Sequence, residues 1–182
     1  LQMSLIQRYI SEDFDPSLGF VLRRDFLQSR ARTQVILRPE AEDIDRIHLE
    51  VFGNVDHRAT DGGCLGQVVR GRAQLIHRFG WDFIVNAAFK EDVVQDDFEL
   101  SAADRTIEAG IYRGTQLRFG IGSPNNLIPR GYIEYRYSNA FFGGQLHEAY
   151  AEGQLSFGPH LYFIADATQR WFVFDGETTN AL

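Results

Sequence analysis

The sequence has little of what stabilises many small folds or anchors a chain with a helix. A single cysteine, Cys64, excludes an internal disulfide and a cysteine metal cluster. No run of eighteen or more apolar residues is present, which excludes an ordinary transmembrane helix. Basic residues are also few: 18 Lys and Arg stand against 25 Asp and Glu, and the net charge of −7 argues against nucleic-acid binding. No helical period is sustained anywhere, so the sequence predicts an all-β protein.

Polar and apolar residues instead alternate along most of the chain, in stretches of about ten residues. The clearest stretch is Leu27–Leu37, where Val35 belongs to the apolar set and Arg30 and Arg32 to the polar set. Because successive side chains of a strand point to opposite sides, one face of this strand is apolar and the other is charged. Strands in soluble domains usually have about five or six residues, whereas a tilted strand of about ten residues spans a bilayer. This length favours a membrane β-barrel.

The same alternation predicts nine strands and the start of a tenth, joined by turns that contain Gly, Pro, Asn and Asp. We expect these strands at about residues 1–10, 25–37, 45–56, 67–78, 81–90, 111–122, 130–138, 144–157, 160–170 and from about 175 onwards. Together they predict an antiparallel up-and-down meander that is part of a transmembrane β-barrel, with about 9–10 strands present. The mean hydropathy of −0.25 is compatible with a barrel, because half of each barrel strand is polar.

The connections between the strands alternate in size, as expected for a barrel with short turns at one end and long loops at the other. The longer ones lie at about 11–24, 57–66 and 91–110, and the tight ones at 79–80 and 158–159. One short link near 139–143 falls where a long connection is due. No domain linker is found, and residues 1–182 are predicted to be a single β-barrel segment. The chain has no visible signal peptide and opens inside an alternating stretch, so we expect it to be truncated at both ends.

Aromatic residues gather near the predicted strand ends, as in the aromatic girdles of membrane barrels. The residues concerned are Phe20, Phe26, Phe79, Trp81, Phe89, Tyr137, Phe141, Phe142, Phe157, Trp171, Phe172 and Phe174. Aromatic side chains are also good strand residues in any sheet, which is the alternative explanation.

Charged residues recur on the predicted polar faces of the strands. If those faces line one lumen, arginines and glutamates lie across from or beside one another and form an interior of mixed charge, where lumen residues tune selectivity. The candidate lumen-facing polar residues are Arg30, Arg32, Glu50, Arg70, Arg72, Arg118, Glu134, Arg136, Glu148 and Glu152.

No catalytic or metal-binding constellation is recognisable. Motifs of the Gly-x-Ser-x-Gly, His-Glu-x-x-His and phosphate-loop types are absent from the sequence. His48, Glu50, Asp56 and His57 lie close together, but two or three such ligands are too few to specify a zinc site. We therefore expect no catalytic residues, no metal and no cofactor.

Four stretches of the sequence contain recognisable motifs: 15–26 (DPSLGFVLRRDF), 107–112 (IEAGIY), 141–161 with its FFGGQ and FGPHL motifs, and 174–179 (FDGETT). In their order and spacing they resemble a family of bacterial outer-membrane β-barrels of unknown function. Glu108 stands where the family has Pro, and Gly158 where it has Ser. In that family the barrel follows a module similar to family-9 carbohydrate-binding domains. The resemblance implies a location in the outer membrane of a Gram-negative bacterium and brings no catalytic residues with it.

Three functions remain open at this stage. We expect a segment of an outer-membrane β-barrel, either channel-like (porin-like) or a membrane anchor or export partner for a glycan-binding module. Its partners would be the lipid bilayer and, through the missing N-terminal module, glycans. The alternative is a soluble antiparallel barrel or sandwich that binds a small ligand, whose apolar faces would point into a core. A barrel hydrolase is the third, with no residues to support it.

Overall fold

The computed structural model describes residues 1–11, 25–100, 105–124, 129–157, 161–174 and 177–181. Its elements in this part of the chain are all β-strands. They are β1 (Gln2–Ile10), β2 (Phe26–Leu37), β3 (Ile44–Arg58), β4 (Cys64–His77), β5 (Asp82–Val94), β6 (Phe98–Leu100), β7 (Arg105–Ile107), β8 (Gly110–Gly122), β9 (Arg130–Phe141), β10 (Gly144–Phe157), β11 (Leu161–Phe174) and β12 (Glu177–Ala181).

Ten of these strands form one antiparallel sheet in the order β1-β2-β3-β4-β5-β8-β9-β10-β11-β12. Each strand pairs with the next one of the sheet along the chain, so the predicted all-β, antiparallel up-and-down meander is confirmed. Connections of a few residues, such as 78–81, make this order the natural one, because they join only neighbouring antiparallel strands. No helix in the described residues could cross a membrane.

The structure departs from the prediction in the acidic segment 91–110. The sequence predicts one long loop there, but β5 continues to Val94, and β6 and β7 pair as a small hairpin of their own. The alternation of connection lengths is also incomplete. The two-residue turn 142–143 lies at the same end of the sheet as this hairpin, where the prediction requires long loops. We call this end the hairpin end.

Several predicted features lie outside the described residues: Phe20 and the rest of the 12–24 loop, the tight connection at 158–159, and the start of the tenth strand at 175–176. The link between the predicted strands 111–122 and 130–138 is described only at 123–124 and 129.

An apolar cluster fixes the β6–β7 hairpin at its end of the sheet. Ile107 of β7 is buried with Phe172 and Phe174 of β11, and further rings pack around them. Phe142, in the two-residue turn after β9, meets the rings of Phe98 and Tyr112 edge-on at 5.3 and 5.6 Å. Four residues predicted for a girdle (Phe141, Phe142, Phe172 and Phe174) therefore belong to this cluster.

The connection between β3 and β4, at the same end, is organised by two aspartates. Asp25 accepts hydrogen bonds from the backbone N–H and the hydroxyl of Thr60 at 3.0 and 2.6 Å. Asp61 accepts from the N–H of Gly63 at 2.9 Å and pairs with Arg58 at 2.6 Å. Both interactions favour the charged carboxylate, so they hold the pKa of Asp61 below its ordinary value, the Gly63 bond being the larger cause.

This arrangement predicts a pH-dependent contribution from Asp61. Because the folded pKa lies below the ordinary value of 3.8, the contribution is present above that value and is lost as the pH falls through the folded pKa. In an NMR titration of the carboxyl group, Arg58→Gln should raise the pKa of Asp61 only part of the way, because the Gly63 bond remains. An unchanged pKa in that variant would contradict the role given to Arg58.

The two faces of the large sheet differ in an unusual way. One face, here called the apolar face, carries Val51, Val69, Val85, Leu117 and Ile133 in its middle, and these side chains are exposed, Val51 by 61% and Ile133 by 63%. The opposite face, here called the polar face, carries Glu50, Glu134 and Glu148, which are exposed by only 8%, 5% and 8%. Soluble proteins bury apolar side chains and expose charged ones, so the sheet has the reverse polarity.

Candidate functional site: a charged row across the sheet

Polar side chains form a continuous row across the polar face. Because the strands pair in register, one residue from each of nine consecutive strands lies at the same level. From β1 to β11 the row is Gln2, Gln34, Glu50, Arg72, Asn86, Arg118, Arg136, Glu148 and Arg170. The row contains four arginines and two glutamates, and it is the centre of the candidate site.

On β8 to β11 the charges of the polar face join into one chain, here called the ion-pair chain. Glu134 accepts from Arg118 and from Arg136 (3.4 Å), and Glu148 accepts from Arg136 (3.2 Å) and Arg170 (2.6 Å). Two carboxylates are thus shared among three guanidinium groups. Such pairs satisfy both partners of a desolvated charge, which is the condition for burying it.

The ion-pair chain needs room for an aromatic ring beside it. Tyr132 donates its hydroxyl proton to Glu134 at 2.6 Å, and its ring lies across Gly120 of the neighbouring strand. A Cβ atom at residue 120 would lie 2.5 Å from the Tyr132 hydroxyl oxygen, so any other residue there would displace the Tyr132 ring. The sequence places Tyr132 on the same face as Glu134 by alternation, but its contact with Gly120 depends on the register.

On β2 to β4 four arginines surround one phenylalanine and one carboxylate, a group here called the arginine block (Arg30, Arg32, Arg70 and Arg72, with Glu50 and Phe52). Glu50 pairs with Arg32 at 2.5 Å and with Arg70 at 3.2 Å. The guanidinium carbons of Arg70 and Arg30 lie 4.9 and 5.5 Å from the Phe52 ring centre, within the range of a cation–π contact.

Within the described part of the chain, the other two arginines of the block reach carboxylates only through glutamines. Arg30 donates to Gln28 at 3.3 Å, and Gln28 donates to Asp56 at 2.9 Å. On the other side Arg72 donates to Gln74 at 2.9 Å, and Gln74 donates to Asp82 at 2.8 Å. In each case a neutral amide separates the guanidinium group from the carboxylate, so the charge of the arginine is less compensated than in a direct pair.

All ten candidate residues from the sequence lie on the polar face, which follows from their strand positions and register partners. The sequence leaves open whether the glutamates lie across from the arginines or beside them; Glu50, Glu134 and Glu148 pair with arginines of adjacent strands. Glu152 is different: it accepts from the Tyr150 hydroxyl at 2.7 Å and lies opposite Asp166, another acid. Alternation within one strand does not identify partners on the neighbouring strands. For this reason the sequence does not single out Arg170, Gln28 or Gln74 as site residues.

Within the described residues, no group of three or more His, Cys, Asp and Glu side chains could hold a metal ion. Two carboxylates near His48 already have partners in the protein. Glu50 forms ion pairs with Arg32 and Arg70, and Asp56 accepts a hydrogen bond from Gln28.

The apolar face carries almost no charge on the nine strands β1–β5 and β8–β11. Asp45 lies in the bulge at the start of β3, and Glu91 pairs with Arg113 near the hairpin end. Between these positions the face contains no Asp, Glu, Lys or Arg. His147, which the alternation assigns to this face, is hydrogen-bonded to the Tyr135 hydroxyl at 2.6 Å.

Comparisons of the chain with models of protein families, with curated proteins and with solved structures found no match. The resemblance to the outer-membrane barrel family therefore stays a prediction.

Proposed function

We propose that this chain is a segment of a bacterial outer-membrane β-barrel, with the apolar face against lipid and the polar face towards a lumen. The observation that carries the proposal is the reversed polarity of the sheet: side chains such as Val51 and Ile133 are exposed, whereas Glu50 and Glu134 are buried. A hydrocarbon environment makes this arrangement favourable, because it removes the exposed apolar side chains from water.

The dimensions of the strands support the proposal. The strands β2–β5 and β8–β11 contain 12 to 15 residues, more than the roughly 9–11 residues that a tilted strand needs to cross a bilayer. On β2 the run from Leu27 to Leu37 has no charged residue on its apolar face.

The soluble alternative fits these observations less well. A soluble sandwich would cover its apolar face with a second layer. In the described part of the chain no element does so, since each strand of the sheet makes its main contacts with its sheet neighbours, and the apolar face stays exposed.

A channel-like lumen is the use of the polar face that the charges support best, because the charged row would line a polar path. The outer edges of β1 and β12 have no partner in the sheet, and hydrocarbon does not tolerate unpaired backbone groups. In a bilayer these edges therefore have to be paired, with each other or with further strands. The role as an anchor or export partner for a glycan-binding module rests on the family resemblance alone.

The two tryptophans test the proposal. Trp81 precedes β5 at the end opposite the hairpin end, and Trp171 lies on the apolar face of β11 near the hairpin end. After refolding with vesicles of bacterial phospholipids, we expect the chain to float with the vesicles. Single-tryptophan variants (Trp81→Phe and Trp171→Phe) should each be quenched best by bromine labels close to the headgroups, because both side chains would lie at the membrane interfaces.

Recovery of a folded chain in the vesicle-free fraction would refute the proposal. Equal quenching by labels at every depth would also refute it, because a span with fixed orientation holds each tryptophan at one level.

A further inference from the structure

The arginine block carries more positive charge than its surroundings compensate. The block holds four guanidinium groups and one carboxylate, Glu50, which pairs with Arg32 and Arg70, so its net charge is +3. Two further acids, Asp56 and Asp82, are joined to Arg30 and Arg72 through the amides of Gln28 and Gln74. Like charges gathered in a partly desolvated place repel one another, so an anion would be favoured there.

The block also has hydrogen-bond donors without acceptors. The Nε atoms of Arg30 and Arg70 are buried and, within the described residues, have no hydrogen-bond partner. In the ion-pair chain Arg170 donates its Nε proton to Glu148 at 2.6 Å, whereas the Nε atom of Arg118 is also buried without a partner among the described residues. A buried guanidinium N–H that lacks an acceptor is costly, and an oxyanion provides the acceptor geometry that guanidinium groups fit best.

We infer that the arginine block binds the anionic group (phosphate, sulfate or carboxylate) of a water-soluble solute. That the solute is one transported through a lumen rests on the proposed function. A soluble anion is favoured over a lipid headgroup because the block lies on the face opposite the exposed apolar face. Phe52 lies against the guanidinium groups of both Arg30 and Arg70, so its ring holds two arginines of the block near each other.

Arginine side-chain NMR gives a direct test with inorganic phosphate as the probe. The chain is kept folded in buffer or in a neutral detergent, and chloride at equal ionic strength serves as the reference. We expect saturable phosphate-induced shifts of the Nε–H signals of Arg30 and Arg70, and no shift for Arg170, whose Nε–H is already bonded.

Two substitutions should weaken binding, and one matched control should not. Arg30→Gln and Arg72→Gln each remove one guanidinium group from the block. Each should weaken phosphate binding about tenfold, since one charge-assisted contact is lost. Gln154→Glu makes the same change of charge on the polar face of β10, far from the block, and should leave phosphate affinity unchanged.

Three results would overturn the inference: no phosphate-specific shift in a folded chain, equal weakening by Gln154→Glu, or shifts caused only by micelles that contain phosphate-bearing lipids. Membrane insertion is measured separately by flotation. A chain that inserts but binds no phosphate refutes this inference alone, whereas a soluble chain that binds phosphate refutes only the proposed function.

Discussion

Leu117→Arg is expected to destabilise the membrane-inserted state by about 2–4 kcal/mol, the usual effect of an arginine at the bilayer midplane on the lipid face of a barrel. Leu117 lies near the middle of β8 on the apolar face and is 36% exposed. In a soluble sheet the same change at an exposed position would stay within about 0.5 kcal/mol. The free energy of unfolding in vesicles, from urea titration, separates the two cases.

The neighbouring residue provides the control for this experiment. Gln116→Arg adds the same side chain one position earlier, on the polar face, where Gln116 lies between Ala88 and Ser138 of the adjacent strands. An arginine there would face the lumen, so insertion should proceed as in the unaltered chain. Equal losses in both variants would show that the charge matters irrespective of the face, which contradicts the proposed orientation of the sheet.

The second large effect concerns Glu134, the most buried acid of the ion-pair chain. Glu134→Gln keeps the size of the side chain but removes the charge that Arg118 and Arg136 share, and these two arginines lie directly opposite each other. Breaking a buried ion pair costs about 3–5 kcal/mol. Because both arginines are about one-third exposed, solvent screens part of the effect, and we expect a loss of about 2–3 kcal/mol.

Glu152→Gln makes the same change on β10 and should not destabilise the chain. Glu152 lies opposite Asp166, and like charges in that position are destabilising. The variant should unfold at the same urea concentration as the unaltered chain or at a higher one. If Glu152→Gln were as destabilising as Glu134→Gln, the stability would depend on the total charge of the face and not on the pairs described here.

Much of this architecture follows from the period of two in the sequence. A strand of ten or more residues places alternate side chains on opposite faces, and a meander joined by short turns brings equivalent rows together. For this reason Arg72, Arg118 and Glu148 could be assigned to one face before their partners were known. The partners themselves, such as Glu148 for Arg170, depend on the register between two strands, which alternation in one strand does not specify.

The short strands could not be predicted in the same way. Phe98–Leu100 and Arg105–Ile107 have three residues each, too few for a period to be recognised, and they lie in an acidic stretch that is typical of a solvated loop. Tertiary contacts create them, since Ile107 is buried against Phe172 and Phe174 of β11. The sequence places the aromatic residues of this cluster among those near strand ends, but alternation alone does not distinguish a girdle from a cluster under a hairpin.

The β6–β7 hairpin has a consequence for how the protein opens locally. Two strands of three residues have too few backbone hydrogen bonds to remain ordered alone, so ring contacts with Phe142 and burial of Ile107 provide most of their stability. Phe142 has a positive backbone angle (φ 47°), which is unfavourable for a bulky residue and is tolerated because the ring is packed. Amide exchange would therefore report this hairpin as a separate unit, one that opens while the ten-stranded ladder beside it remains closed.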